Sequence, residues 1–283
     1  MFVWLASYPK SGNTLLRSML AAYFFSEDGI YNFSLNDNIR QFPSTKLFER
    51  MGIDITNEKE VIKNYIKAQE SINQKEKLQF LKTHSYLFNI DNIPFTNLNN
   101  TLGVIYIVRD PRNVVTSYAH HSGTSPESAA KSMIELYKYK GDLTSNAAER
   151  VTLYMGTWSG NYNSWKSLKD PGRYLLIKYE DLINNKDITF RKVIKFLCML
   201  KGVKFKIDQV KFRNVIESTE FKKMQKLEQE EGFREAKTDS KTGDKIPFFN
   251  LGAKNDWKKI LDPDIKTKIE INFKKEMKEL GYL

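Results

Sequence analysis

Residues 2–20 read Phe2-Val3-Trp4-Leu5-Ala6-Ser7-Tyr8-Pro9-Lys10-Ser11-Gly12-Asn13-Thr14-Leu15-Leu16-Arg17-Ser18-Met19-Leu20. The apolar run Phe2–Ala6 predicts a buried strand, and the pattern from Leu15 onward predicts a helix. Between them lies a tight polar loop. A strand, loop and helix in that order aim backbone N–H groups and a helix N-terminus at an anion. Lys10 adds a full charge, and Ser11 and Thr14 add hydroxyl donors. The loop therefore reads as a phosphate or sulfate cradle. It is not a Walker A loop, because the lysine precedes the only glycine and the G-x-x-x-x-G-K-[ST] spacing is absent.

Further strand-like runs are Gln79–Lys82, Gly103–Val108 and Tyr174–Ile177, each apolar on both faces as in a buried parallel sheet. Helical patterns lie between them: Pro111–His121, a segment opened by Ser125-Pro126, Leu143–Leu168 as one long helix or a broken pair, Asp187–Leu200 and Lys266–Leu280. Strands alternating with helices predict an α/β fold, a doubly wound, mainly parallel sheet flanked by helices. One domain over residues 1–283 is expected. Residues 28–74 read as an irregular insertion, and the charged segment 228–249 as a mobile lid.

The chain of 283 residues carries a net charge of +11. Its lysines are dispersed, often beside acids, and no nucleic-acid motif is present, so a solvated surface accounts for the charge better than a nucleic-acid partner. Cys198, the only cysteine, sits in an apolar run and is expected to pack in the core. No signal peptide is visible, and no apolar run approaches the roughly 20 residues of a membrane span. A cytoplasmic protein is expected.

Charged or polar residues follow the other strands. Lys82 ends one and His84 lies just beyond it; Arg109 ends the next and opens the Pro111 helix; Tyr179 ends the last. Ligands of open α/β sheets bind outside the carboxyl ends of the strands. His84 is a candidate general base and Arg109 a bidentate phosphate ligand, with Ser117 two turns into the following helix. Each of these residues also has an ordinary structural reading, a loop histidine or an arginine paired with Asp110.

The joint order is more specific. Y-P-K-S-G-N-T, L-K-T-H, I-V-R-D-P-R-N-V-V-T-S-Y, L-L-I-K-Y-E-D-L (Leu175–Leu182), then G-x-x-x-D-W-K from Gly252, in that order, resembles the cytosolic-type sulfotransferases. That resemblance implies the P-loop-like sulfotransferase fold. It also implies 3′-phosphoadenosine 5′-phosphosulfate (PAPS) as donor, its desulfonated form PAP as product, a small-molecule acceptor and no metal. By the same resemblance Lys10 matches the lysine on the bridging oxygen, and Ser11, Gly12, Asn13 and Thr14 the loop around the 5′-phosphate. Lys82 matches a second cation on the transferring group, His84 the base, and Arg109 with Ser117 the 3′-phosphate pair. Tyr179, Thr219 and Phe221 match the adenine contacts, and Gly252 the glycine of the final motif.

Three departures stand out. Leu15 replaces the family's tryptophan; Asn250 and Leu251 stand where Arg and Lys are expected, with Lys254, Lys245 and Arg234 as candidate substitutes; and no dimerisation motif is recognisable, leaving monomer or homodimer open. Five candidate aromatic walls for the acceptor are Tyr31, Phe33, Phe42, Phe48 and Tyr65. The competing readings are a small-molecule kinase, which needs a magnesium site, and a non-catalytic adenine-nucleotide-binding module, which has no use for His84.

Overall fold

A five-stranded parallel sheet organises the computed structural model, which describes residues 1–74, 77–135, 138–140, 151–168, 172–238 and 242–283. Its strands are β1 (Phe2–Ser7), β2 (Arg40–Gln41), β3 (Gln79–Thr83), β4 (Thr101–Val108) and β5 (Tyr174–Lys178), in the order β2-β3-β1-β4-β5. Register pairs Leu5 with Lys82, Gln41 with Lys82, Ser7 with Ile107 and Val108 with Lys178. The carboxyl ends therefore align along one edge. The chain steps from β1 to one side and later to the other, so the crevice of an open α/β sheet opens above β1.

Alternation along the strands feeds two cores. Phe2, Trp4, Ala6, Tyr106 and Val108 pack on one face with Trp158 and Trp165. Val3, Leu5, Ile105 and Ile107 pack on the other with Leu16, Met19 and Leu20 of helix α1 (Asn13–Phe25) and with Phe190 and Val193. Both faces are covered, which is why these strands read as unbroken apolar runs. The helices near the site are α2 (Pro111–Ser122), α3 (Tyr179–Asn184), α4 (Lys186–Leu200), α5 (Gln209–Ser218) and α6 (Phe221–Glu231).

Several expectations change. Segment 28–74 is built from short pieces, including β2 and helices Thr45–Arg50, Glu58–Lys63 and Tyr65–Ile72. Of the expected helix Leu143–Leu168, residues 143–150 lie outside the described residues. The remainder holds a strand, Thr152–Tyr154, then helix Trp158–Lys166. Gly156 at φ +66° turns the chain, and the Thr157 hydroxyl caps the new helix by accepting from the Gly160 N–H, so no continuous helix forms. The C-terminal pattern is two helices, Pro263–Asn272 and Lys274–Glu279. Segment 228–249 opens with the last turn of α6 and holds a two-stranded pair, Lys237–Thr238 with Lys245–Ile246; residues 239–241 lie outside the described ones. Cys198 is partly buried against the α1-side core. Phe42, Phe48 and Tyr65 pack with Trp4 and Phe95 in the opposite core and do not line the cavity.

Candidate active site

The β1–α1 loop supplies an anion cradle by its backbone. Gly12 adopts φ +99°, and a Cβ there would stand 2.4 Å from Cδ2 of Tyr179, so only glycine fits. Lys10 also takes a left-handed conformation, φ +63°. Among the described residues no side chain caps the N-terminus of α1, and no acid lies in its first turn, which leaves its N–H groups for an incoming anion. Asn13 turns back instead: its Nδ2 donates to Leu5 O at 2.9 Å and to Ser7 Oγ at 3.2 Å, fastening loop to strand. The Ser11 hydroxyl is buried without a partner among the described residues, although Ser11 itself does not line the cavity.

That cavity, about 1130 Å³, exceeds the ~300–1,000 Å³ typical of a single-ligand site. Lys10, Gly12, Asn13, Thr14, Lys82, His84, Arg109, Ser117, Tyr179, Thr219, Phe221 and Gly252 all line it. The structure thus gathers the nominated catalytic and donor-binding residues other than Ser11 around one space.

At its centre, His84 Nδ1 lies 3.0 Å from Ser7 O. A carbonyl oxygen only accepts, so the proton belongs on Nδ1, and Nε2 keeps a free lone pair. Burial, followed by the neighbouring Lys82 charge, pushes the imidazole down to about 3. It is therefore neutral at physiological pH, the form a base requires. The Lys10 ammonium lies 3.8 Å from the centre of the Phe248 ring. Burial lowers it to about 7, Glu235 opposing and Arg109 and Lys82 reinforcing the shift.

Two residues of this centre escape sequence reading. Arg17, one turn beyond Thr14 on the same face of α1, donates through Nη1 to Glu235 Oε1 at 2.6 Å and through Nη2 to Asn36 O at 2.7 Å. Glu235 also accepts from Lys82 Nζ at 3.2 Å on each oxygen and from Thr14 Oγ1 at 3.3 Å. Burial raises the carboxyl, but Lys82 and then Arg17 outweigh it and hold Glu235 well below the usual carboxylate range. Glu235 sits in a charged segment that looks like solvated surface in sequence, and Arg17 is a lone charge inside an apolar helical pattern.

Toward the other end, Arg109 donates to Lys10 O at 3.1 Å and lies 4.2 Å over the Tyr179 ring, while its buried Nε has no partner among the described residues. It does not pair with Asp110, which instead caps α2 and binds Arg112. Arg112 further donates to Glu270 at 2.6 Å and to Tyr282 O at 2.7 Å, and stacks 3.9 Å over Trp257. Asn255, also lining the cavity, bridges Thr116 Oγ1 at 2.7 Å and Asn113 O at 2.8 Å. These contacts give the G-x-x-x-D-W-K motif its job, which is to pin the Gly252 turn to α2. A Cβ on Gly252 would come within 2.7 Å of the Phe221 ring, so the turn lies flat against that ring.

Of the candidate substitutes for the missing Arg and Lys, Arg234 alone lines the cavity, and it pairs with Asp37 at 3.1 Å. Lys186, which sequence reading passed over, lines the cavity beside Thr219 and Glu220. Burial lowers its ammonium to about 8. The expected aromatic acceptor walls are also displaced: segment 28–74 presents Asp37, Arg40, Gln41, Ser44, Lys46 and Arg50 to the cavity, opposite Leu153 and Met155. Phe33 packs instead at a tilt against Phe233, ring centres 4.6 Å apart. Among the described residues no cluster of His, Cys, Asp and Glu suits a metal, and no helix is long and apolar enough to cross a membrane.

Known proteins share this fold. The chain is 24% identical to the flavonol 3-sulfotransferase of Flaveria bidentis over 273 residues, 95% of this chain and 79% of that protein. A mouse sulfotransferase solved with PAP superposes with a TM-score of 0.55 at 18% identity, covering 97% of this chain and 83% of that one. Retinol dehydratase solved with retinol and PAP gives 0.59 at 16% identity, covering 98% and 81%. The sulfotransferase domain family matches residues 2–281, so the chain belongs to that family and is a transferase.

Proposed function

We propose that the protein transfers a sulfuryl group from PAPS to a hydroxyl or amine of a small polar acceptor, within one domain in which segment 228–249 acts as a lid. The observation that carries this reading is the pairing of a neutral, correctly oriented His84 with Lys10 and Lys82 around one cavity. The orphaned buried Nε of Arg109, which lines the cavity, fits a phosphate of such a donor. The cavity has room for donor and acceptor together, and its acceptor face is polar and basic.

The chemistry follows from these positions. The acceptor oxygen attacks sulfur as its proton passes to His84 Nε2. The bond from sulfur to the bridging oxygen breaks, and its electrons go to the phosphate of PAP. Charge spreads over the sulfuryl and bridging oxygens, where Lys10 and Lys82 stabilise it; this is catalysis by positioning and electrostatics. The Ser7 carbonyl receives the Nδ1–H and steadies the imidazolium that forms.

An acceptor screen with labelled PAPS, run on wild type and His84→Ala, tests the reading. Transfer by wild type to a polar hydroxyl compound and a loss of at least ~100-fold in the variant are expected. Near-normal transfer by the variant sinks the base assignment. Turnover with ATP in place of PAPS favours a kinase, and PAP binding without turnover on any acceptor favours a mere binding module.

A further inference from the structure

We infer that Arg17 is a third cation for the transferring sulfuryl group, and that Glu235 holds its place in the free protein. The inference rests on the PAPS reading above. It starts from an imbalance of charge: among the described residues Arg17 and Lys82, both buried, share one carboxylate, that of Glu235. One positive charge is left uncompensated in a partly desolvated place, a costly arrangement unless an anion is due there.

Geometry says which anion. The Glu235 carboxylate touches Lys82 Nζ, Thr14 Oγ1 and Arg17 Nη1 at once. It occupies the point where the loop hydroxyl and the strand-end lysine converge, beside the N-terminus of α1. A tetrahedral sulfuryl group presented to Lys82 and Thr14 at that point lies within reach of the Arg17 fork. Arg17 is prepared for the role: Asn36 O holds one nitrogen at 2.7 Å, and its Nε is buried with no partner among the described residues. The guanidinium offers a directional pair of donors that a lysine lacks. Donor entry then exchanges the Glu235 carboxylate for the sulfuryl oxygens. During transfer Arg17 binds non-bridging oxygens of sulfur, while the bridging bond breaks toward the phosphate and the acceptor proton goes to His84.

PAP lacks the sulfuryl group, which makes the test selective. Affinities of PAPS and PAP for wild type, Arg17→Gln and Arg17→Lys are measured by titration calorimetry at fixed ionic strength, with kcat and melting temperature alongside. For Arg17→Gln, PAPS affinity falls roughly ten- to a hundredfold, PAP affinity changes by less than about twofold, and kcat drops; Arg17→Lys recovers part of the loss. Equal weakening of both nucleotides, or no change for PAPS, overturns the inference. Should Arg17→Gln fail to fold, Glu235→Gln decides: freed of its internal anion, the subsite binds inorganic sulfate more tightly than wild type does, raising the melting temperature more per millimolar. Unchanged sulfate sensitivity overturns the inference. If wild type binds neither PAPS nor PAP, the donor reading itself fails.

Discussion

Gly12→Ala isolates the geometry on which the anion cradle depends. The backbone there sits at φ +99°, and the new methyl would meet Tyr179 Cδ2 at 2.4 Å. A left-handed alanine costs about 1–2 kcal/mol. Crowding a packed ring costs about 1–3 kcal/mol more. The sum is roughly 2–5 kcal/mol, or a fall in Tm of roughly 4–10 °C for a chain of this size. Gly52 provides the control: it has φ +73° and open space within 4 Å of where a methyl would stand, so Gly52→Ala carries the backbone cost alone, a fall of about 2–4 °C. Thermal melts of Gly12→Ala, Tyr179→Ala and the double variant separate the two contributions. The double variant should lie above the additive expectation by about 1–3 kcal/mol, because removing the ring removes the clash. Melting of Gly12→Ala at the temperature of Gly52→Ala, or strict additivity with Tyr179→Ala, would refute the close packing of loop against α3.

Two further outcomes follow from charge. Lys10 is lowered to about 7 in the free protein, mainly by burial, so it is largely neutral at pH 8; a bound phosphate favours its charged form. PAP binding at pH 8 should therefore take up nearly one proton, read from calorimetry in buffers of different ionisation enthalpy, and apparent affinity should weaken as pH rises above 7; proton release would contradict it. Arg109→Ala removes a charge-assisted contact worth about 1.5–3 kcal/mol, so PAP should bind roughly 10–150-fold more weakly while adenosine 5′-phosphate, lacking the 3′-phosphate, changes little; equal losses would move Arg109 away from that phosphate.

The sheet was legible because four of its strands carry the mark of double-sided burial. β2 left no such mark: Arg40 and Gln41 are two polar residues, placed only by pairing with Leu81 and Lys82. The helices of segment 28–74 span six to eight residues, too short for a period to emerge. Lys10, His84, Arg109 and Tyr179 were legible because strand ends in an open α/β sheet point to the crevice. Arg17 and Glu235 were not, since their meaning lies in a pairing across 218 positions between a helix face and a charged segment. The aromatic residues of 28–74 misled for a related reason: size and polarity do not tell an inward core face from a cavity wall, and Phe42, Phe48 and Tyr65 found the core.

The anchoring of α2 sets a timetable for synthesis. Arg112 lies near the start of the helix that carries Ser117, yet its partners Trp257, Glu270 and Tyr282 come far later, the last 170 positions on. At 5–20 residues per second the ribosome needs roughly 10–30 s to cover that distance. Throughout that interval the β1 loop is already made while the far wall of its cavity lacks its fastenings. The cavity wall carried by α2 therefore cannot gain its last fastening until Tyr282 has been made, long after the strands that open the cavity.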